Sequence, residues 1–580
     1  MSFRRTCRLV ALAAATLLCI SCGQVYRPVV IPVSTTPPYP AGFHEVFGIS
    51  NNIPFNQGTA MQIDVSGDTN IGVANMGVNP THAGILPNNT RVFVASSGSL
   101  SSGEADAVMA FTPAGDTTVA SGLGNPVTIS LPYGSLPVFV TTTQTSAVYV
   151  ANFGTNSVSA LSTSTNAVTM TESVGSQPIA LAETPNALNL YVLNQGDNTL
   201  TDLSPVDLST LATIPIGNTP VWAVSRADSQ RLYVLTQGDG LLHTLRTDTN
   251  AIVGSQSVGV GANFILYDSN RSRLYVTSPA TSSFYVFDVT TDPPTPIMPA
   301  GSASPAIGLP LPSPCGGGIT CSGVTPVSVS ALPDGSRFYV ASYVTASPCP
   351  DPNVGNLTPT DSCMIPQLTV FQAASLTVKP MPSSSSLLSP SLSLLSSPQF
   401  GATQYAVRQV STCVPAPSYS PSSTRFRMFT TAAADSSHVY VSLCDAGMVA
   451  DVAATTSTVT TGGSNTPDTL AADIPTPFAA CTGSSCPTPA NITGFSITSN
   501  VVTFQAANNF FPGEQVSISG LSTGTSLNGL TLTILATGLS SSSFECMLSG
   551  TNQDVPQTTD SGSAVPLPVQ QTPIFLLSGF

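Results

Sequence analysis

Val148-Tyr149-Val150-Ala151-Asn152-Phe153-Gly154-Thr155-Asn156 recurs as Leu190-Tyr191-Val192-Leu193-Asn194-Gln195-Gly196-Asp197-Asn198, and again as Leu232-Tyr233-Val234-Leu235-Thr236-Gln237-Gly238-Asp239-Gly240. The valines stand at 150, 192 and 234, a spacing of 42, and a fourth step lands on Leu274-Tyr275-Val276. A fixed period of this size marks a repeat architecture, which must be settled before any motif is read.

A second landmark travels with the first. Gly175-Ser-Gln-Pro178 and Gly217-Asn-Thr-Pro220 each precede their Tyr-Val valine by 14 residues, as do Gly77-Val-Asn-Pro80 and Gly323-Val-Thr-Pro326. Each unit therefore reads as a Gly-x-x-Pro turn, a short apolar run such as Pro220–Val224, and a turn at Ala227-Asp-Ser-Gln230. The Tyr-Val run, a Gly/Asn/Asp turn and two more alternating runs follow. Val, Tyr and Thr at period two between turn residues signal strands, and no unit has room for a helix of ordinary length. Four strands in about 42 residues is the size of one propeller blade.

Tyr-Val equivalents end at Val94, Val150, Val192, Val234, Val276, Val340 and Val441, which counts seven blades. Ala60–Val65 and the apolar Gln571–Leu577 read as strands of a further blade closed by the two ends of the chain, which makes eight. The expected fold is all-β, a seven- or eight-bladed β-propeller spanning 46–480, with insertions at 291–322 and 345–400. The Ser/Leu tract from Ser383 to Pro390 reads as a mobile loop. Residues 487–566 lose the repeat and read as a small β-sandwich-like domain, appended or inserted in the closing blade, before a terminal strand in 567–580. Tyr149, Tyr191, Tyr233 and Tyr275 should share one environment between adjacent blades, with Tyr285 outside the register.

"VYVANFGTNSVSALSTSTNAV", from Val148, and three further units resemble the YVTN family of β-propeller repeat proteins over roughly 60–470. The resemblance implies the propeller fold and no shared catalytic motif. Cys444 follows Val441, and no Gly-x-x-Pro precedes it, so the last unit departs from the pattern.

Residues 1–21 combine the basic Met1–Arg8 with the apolar Leu9–Ile20, too short for a membrane span and suited to an export signal. Ile20-Ser21-Cys22-Gly23 resembles a bacterial lipobox, although Cys19 stands where leucine is usual. It implies lipidation at Cys22; the alternative is an ordinary cleaved signal. The Pro-rich segment 22–45 would then tether the propeller to the cell envelope, at the outer membrane or cell surface.

Twelve cysteines, less Cys7, Cys19 and Cys22, leave eight in neighbour pairs: Cys315/Cys321, Cys349/Cys363, Cys413/Cys444 and Cys481/Cys486, with Cys546 over. None has Cys-x-x-Cys spacing, so an exported chain favours disulfides over metal.

Charged residues make up 8% of the chain, against about 25% in typical soluble domains, and the net charge is −14. Lys379 is the single lysine, so nucleic acid is excluded as a partner. No hydrolase, zinc-protease, Walker or dinucleotide pattern occurs. The histidines, His44, His82, His243 and His438, read as solvated loop residues, Asp197, Asp202 and Asp239 as turn closers, and Trp222 as core. No catalytic residue, metal site or cofactor is legible. The expectation is a lipid-anchored, non-catalytic binding or scaffold module for an envelope protein or polysaccharide. The alternative is a propeller enzyme of lactonase-like or quinone-dependent oxidoreductase type.

Overall fold

A computed structural model describes residues 45–52, 58–98, 106–113, 123–124, 126–142, 147–311, 315, 318–347, 363–379, 381–382, 388–389, 392–393, 428–444, 447–454, 468–476, 478–479, 486–510, 514–535, 538–548, 554–567 and 569–579. The segment expected as an export signal (1–21), Cys22 and the segment expected as a tether lie outside these residues, except that residue 45 opens the strand Glu45–Ser50; Cys349, Cys413 and Cys481 lie outside them too. Among the described residues, helical structure is confined to the single turns Pro279–Thr281 and Thr525–Leu527.

Eight antiparallel sheets, six of four strands and two of five, follow one another along the chain. Blades 1 to 7 occupy 80–130, 137–173, 178–215, 220–257, 264–308, 325–393 and 428–475. Blade 4 is representative: Pro220–Ser225 innermost, then Arg231–Thr236, Leu241–Arg246 and Ile252–Ser257. Blade 8 draws its innermost strand, Pro573–Ser578, from the far end of the chain, pairing it with Glu45–Ser50, Thr59–Asp64 and Thr69–Asn75. The innermost strands touch in sequence around a ring, and Pro573–Ser578 contacts both Met428–Ala432 and Pro80–Ile85. This is a closed eight-bladed β-propeller. Mating the two ends of the chain in one blade removes the open sheet edge that a linear array would expose.

The repeated turn residues hold successive blades together. The connection Gly217–Pro220 is gripped from both sides, with Asp239 Oδ2 accepting from the Asn218 amide at 2.9 Å and Asn198 Oδ1 from the Thr219 amide at 2.8 Å. One unit earlier, Asp197 and Asn156 treat Ser176 and Gln177 in the same way. A Cβ on Gly217 would lie 2.6 Å from Asp239 Oδ2 and 2.7 Å from His243 Nε2, so the first residue of this connection must be small.

The repeat tyrosines share their environment. Tyr149, Tyr191, Tyr233, Tyr275, Tyr339 and Tyr440 are all fully buried. Tyr149 donates to Pro205 O at 2.7 Å, Tyr339 to Asp468 Oδ2 at 2.9 Å and Tyr440 to Asp68 Oδ1 at 3.3 Å. In each case the acceptor sits in the next blade, before its outermost strand. Tyr275 differs, donating within its own blade to Asp268 Oδ2 at 3.4 Å. Burial pushes these phenols up, Tyr149 and Tyr233 to about 12, so they stay neutral.

Three expectations need correction. The segment 291–322 is only partly insertion, since Thr295–Pro296 and Ile307–Gly308 pair with Ser283–Asp288 as outer strands of blade 5. The segment 345–400 is only partly insertion: Cys363–Gln372 is the third strand of blade 6, paired along a long hairpin with Arg337–Ser347, and Leu392–Ser393 is the outermost strand. The hairpin overshoots the ordinary strand length, which displaced the third strand from its 42-residue position. Asp202 is no turn closer. It lies fully buried in the third strand of blade 3, opposite Tyr191.

The small β-domain is a six-stranded sheet with its own core around Phe495, Phe504 and Phe544. It departs after the outermost strand of blade 7 and returns just before Pro573, so it is inserted in the connection that closes the ring. The root of the insertion is pinned at Thr476 Oγ1, whose hydroxyl lies 2.6 Å from both Gly447 O and Gln571 O and has one proton to donate to them.

Candidate functional site: the central channel and the decorated face

The second residue after each connecting proline faces the channel. In blades 1, 2, 4 and 8 these are His82, Phe139, Trp222 and Phe575; Phe264 and Phe429 hold the equivalent register in blades 5 and 7. The six rings form an unbroken circuit. Centroids are 3.9 Å apart for His82–Phe139, 5.5 Å for Phe139–Trp222 and 5.1 Å for Trp222–Phe264. The circuit continues at 5.6 Å for Phe264–Phe429 and 4.3 Å for Phe429–Phe575, and returns to His82 at 4.5 Å. Every member is at most 8% exposed. Offset and edge-to-face packing of this kind is favourable beyond area burial, and here it fills the channel cross-section.

Two residues further along each innermost strand, on the same face, stand Gly84, Thr141, Ala182, Val224, Leu266, Ser330, Thr431 and Leu577. An open cavity of about 430 Å³ lies there, bounded by Thr141, Glu183, Trp222, Ser225, Leu266 and Tyr267. Among the described residues Glu183 is its one charged lining residue.

The opposite face carries the additions to the repeat. The 337–347/363–372 hairpin opens there, packing Val344, Ala346 and Ile365 against Val324, Cys315 and Cys321 in a satellite core. The Cys315–Cys321 disulfide closes that segment. The β-domain leaves from the same face, and Tyr133, Val260 and Leu311, in inter-blade connections there, are 76%, 58% and 50% exposed.

Of the cysteines singled out in the sequence, Cys315 and Cys321 are bonded to each other, and Cys444 and Cys486 are each disulfide-bonded. Cys363 ends a strand. Cys546 is buried in the core of the β-domain. The histidine expectation is overturned for the described residues. His82 is stacked in the channel, and His243 is buried between Thr236 Oγ1 at 3.1 Å and Ser255 Oγ at 2.8 Å, where burial lowers its pKa and keeps the ring neutral. His438 lies at a blade junction. The circuit was missed because its members are scattered over 494 residues (82 to 575). The available signal was the offset of two from each connecting proline.

No family model and no curated protein matches the sequence. Solved structures with partial likeness include the periplasmic gluconolactonase PpgL of Pseudomonas aeruginosa, at 12% identity, covering 60% of this chain and 95% of that one, with a TM-score of 0.41. Hydrazine synthase of Kuenenia stuttgartiensis shares 14% identity over 55% of this chain and 77% of its own, with a TM-score of 0.37. A functionally unknown protein of Desulfotomaculum acetoxidans shares 15% over 45% and 82%, with a TM-score of 0.36. At such scores these likenesses carry no argument, and the eight-bladed assignment stands on the strand pairings above. Among the described residues no helix is long and apolar enough to cross a membrane.

Proposed function

We propose that this chain is an exported, lipid-anchored propeller of YVTN type. Its decorated face binds another envelope component or an extracellular polymer, and the channel does no chemistry. The observation that carries this reading is the closed aromatic circuit. The channel axis is filled by stacked rings, while the additions to the repeat gather on one face. Rigid repeat scaffolds present binding surfaces on such loops and insertions.

Cys22 would carry the lipid, and acylation with two or more chains gives stable anchoring. The test has two arms. Cys22→Ala should move the folded protein from membranes to the soluble exported fraction. In the anchored protein, a Tyr133→Ala/Leu311→Ala variant should lose retention of envelope polysaccharide or protein, and Thr141→Ala/Ser225→Ala in the opposite cavity should keep it. Lactone hydrolysis that disappears in Thr141→Ala/Ser225→Ala would refute the binding-module reading.

A further inference from the structure

At several blade junctions an acidic or amide side chain before the outermost strand of one blade meets the residue two positions ahead of the repeat tyrosine in the preceding blade. Between blades 3 and 4, Asn189 Nδ2 and Asn250 Nδ2 donate to the buried Asp202 carboxylate at 2.9 and 2.8 Å. Between blades 4 and 5, Arg231 pairs with Asp292, and between blades 6 and 7, Arg337 pairs with Asp468. In every one of these cases a negative group meets an amide donor or a guanidinium.

The junction that closes the ring differs from these. Asp451 faces Tyr440 across the sheet as Asp202 faces Tyr191. His438 occupies the place of Asn189, two residues before the tyrosine. Asp68, left-handed at φ 50°, takes the place of Asn250 at φ 56°. Both amide donors have thus been exchanged, one for an imidazole and one for a second carboxylate. Ligand atoms of Asp68, His438 and Asp451 all lie within 4.8 Å of one another, and Asp451 is fully buried. Two carboxylates at this spacing repel, at a cost that rises with burial.

The imidazole is presented as a metal ligand would be. Ser437 Oγ donates to Asp435 Oδ1 at 2.6 Å and stands 2.8 Å from His438 Nδ1, so Nδ1–H donates to Ser437. That leaves the Nε2 lone pair on the Asp451 side, 3.8 Å from Oδ2. A hydrogen bond on the far ring nitrogen is what fixes tautomer and orientation in histidine metal sites. The Tyr440 hydroxyl, donating to Asp68 Oδ1, orients the second ligand.

We propose that Asp68, His438 and Asp451 bind a divalent transition-metal ion, with Zn²⁺ the best fit to one nitrogen and two oxygen donors, and that this ion latches the ring shut. Zinc takes such ligands at about 2.0–2.2 Å and accepts three from protein with a water in the fourth position; Mn²⁺ is the next fit. Asp68 belongs to the N-terminal strands of blade 8 and the other two ligands to blade 7. The ion therefore bridges the chain's first strands to the blade that precedes closure, and its binding free energy adds to that of ring closure.

Untagged, chelator-stripped protein would be titrated with Zn²⁺, Mn²⁺, Ca²⁺ and Mg²⁺, following calorimetry, bound metal and thermal midpoint. One Zn²⁺ or Mn²⁺ per chain, with a rise in midpoint, is expected. His438→Asn/Asp68→Asn recreates the blade 3–4 junction, and it should fold, lose that uptake and melt independently of metal. Ser437→Ala should weaken binding by about tenfold to a hundredfold. Absence of stoichiometric uptake, a response to Ca²⁺ or Mg²⁺ alone, or equal uptake by the double variant would each overturn the proposal.

Discussion

The Tyr191 hydroxyl of blade 3 donates to the Asn250 side-chain oxygen of blade 4 at 2.8 Å, while the same amide's nitrogen donates to Asp202 back in blade 3. One side chain thus satisfies a phenol and a buried carboxylate across a blade boundary. Truncating Tyr191 to alanine should cost about 3–5 kcal/mol, as for a buried aromatic. Tyr191→Phe removes only the hydroxyl and should cost about 1 kcal/mol. Tyr285, outside the register, is itself only 8% exposed and packs beside Phe287, so the proper control is Tyr133 at 76%. Denaturant melts in which Tyr133→Ala costs as much as Tyr191→Ala would contradict the stapling role.

Asp468 is the most heavily loaded side chain of the blade 6–7 junction. It accepts from Arg337, from Lys379 at 2.8 Å and from Tyr339 at 2.9 Å, and all four residues are buried. Removing one partner of a buried ion pair leaves uncompensated charge, typically at about 3–5 kcal/mol. Asp468→Ala should therefore destabilise by that order, and Lys379→Met should cost clearly less because Arg337 still covers the carboxylate. The two variants, compared by chemical melts, should differ in that order; equal losses would place the lysine, not the aspartate, at the centre of the junction.

The propeller was legible because its repeat is written in residues that geometry constrains: glycine where no Cβ fits, aspartate and asparagine where a backbone amide needs an acceptor, tyrosine where a ring must reach the next blade. Closure by Pro573–Ser578 was legible as an apolar run. The β-domain was half legible. Its outer and intermediate strands, such as Val501–Ala506 and Ser543–Met547, alternate cleanly, but its two adjoining central strands, Ala490–Thr498 and Val555–Pro566, were not read. They contain Gly494 and Gly562, and both partner strands break register at the Ile492/Gly494 step. A bulge of this kind spoils the period-two signal. The candidate channel and the latch junction were not legible, since Asp68, His438 and Asp451 meet only through closure of the ring.

Acid should loosen the β-domain through Asp560. Its carboxylate accepts from the Ser522, Thr523 and Gly524 amides at 2.9, 2.9 and 2.7 Å and from the Ser522 hydroxyl at 2.7 Å. These bonds, led by the Gly524 amide, hold its pKa below the usual carboxylate range. A folded pKa below the unfolded value of about 3.9 means stability that is present above that value and lost as pH falls through the folded one. The protection factors of residues 520–524 against hydrogen exchange, corrected for the intrinsic pH dependence, should therefore fall below about pH 4 in the wild type. In Asp560→Asn they should be lower at neutral pH and lack that acid limb. A variant that retained the acid limb would assign it to another carboxylate.

Trp222 reports on the channel, being the chain's single tryptophan, 8% exposed and set between Phe139 and Phe264. Its emission should lie at short wavelength and resist quenching by iodide, because only 8% of the residue is exposed where it borders the open cavity. Trp222→Ala should cost about 3–5 kcal/mol and leave an apolar void between aromatic walls. Such voids stay dry and take up small apolar molecules, so the variant should regain part of its thermal midpoint in benzene or indole, whereas Trp222→Phe should need no such rescue. If wild-type Trp222 were quenched as readily as an exposed indole, the circuit would be open in solution. The channel would then be available to substrate, and the reading of this propeller as a binding module would lose its main support.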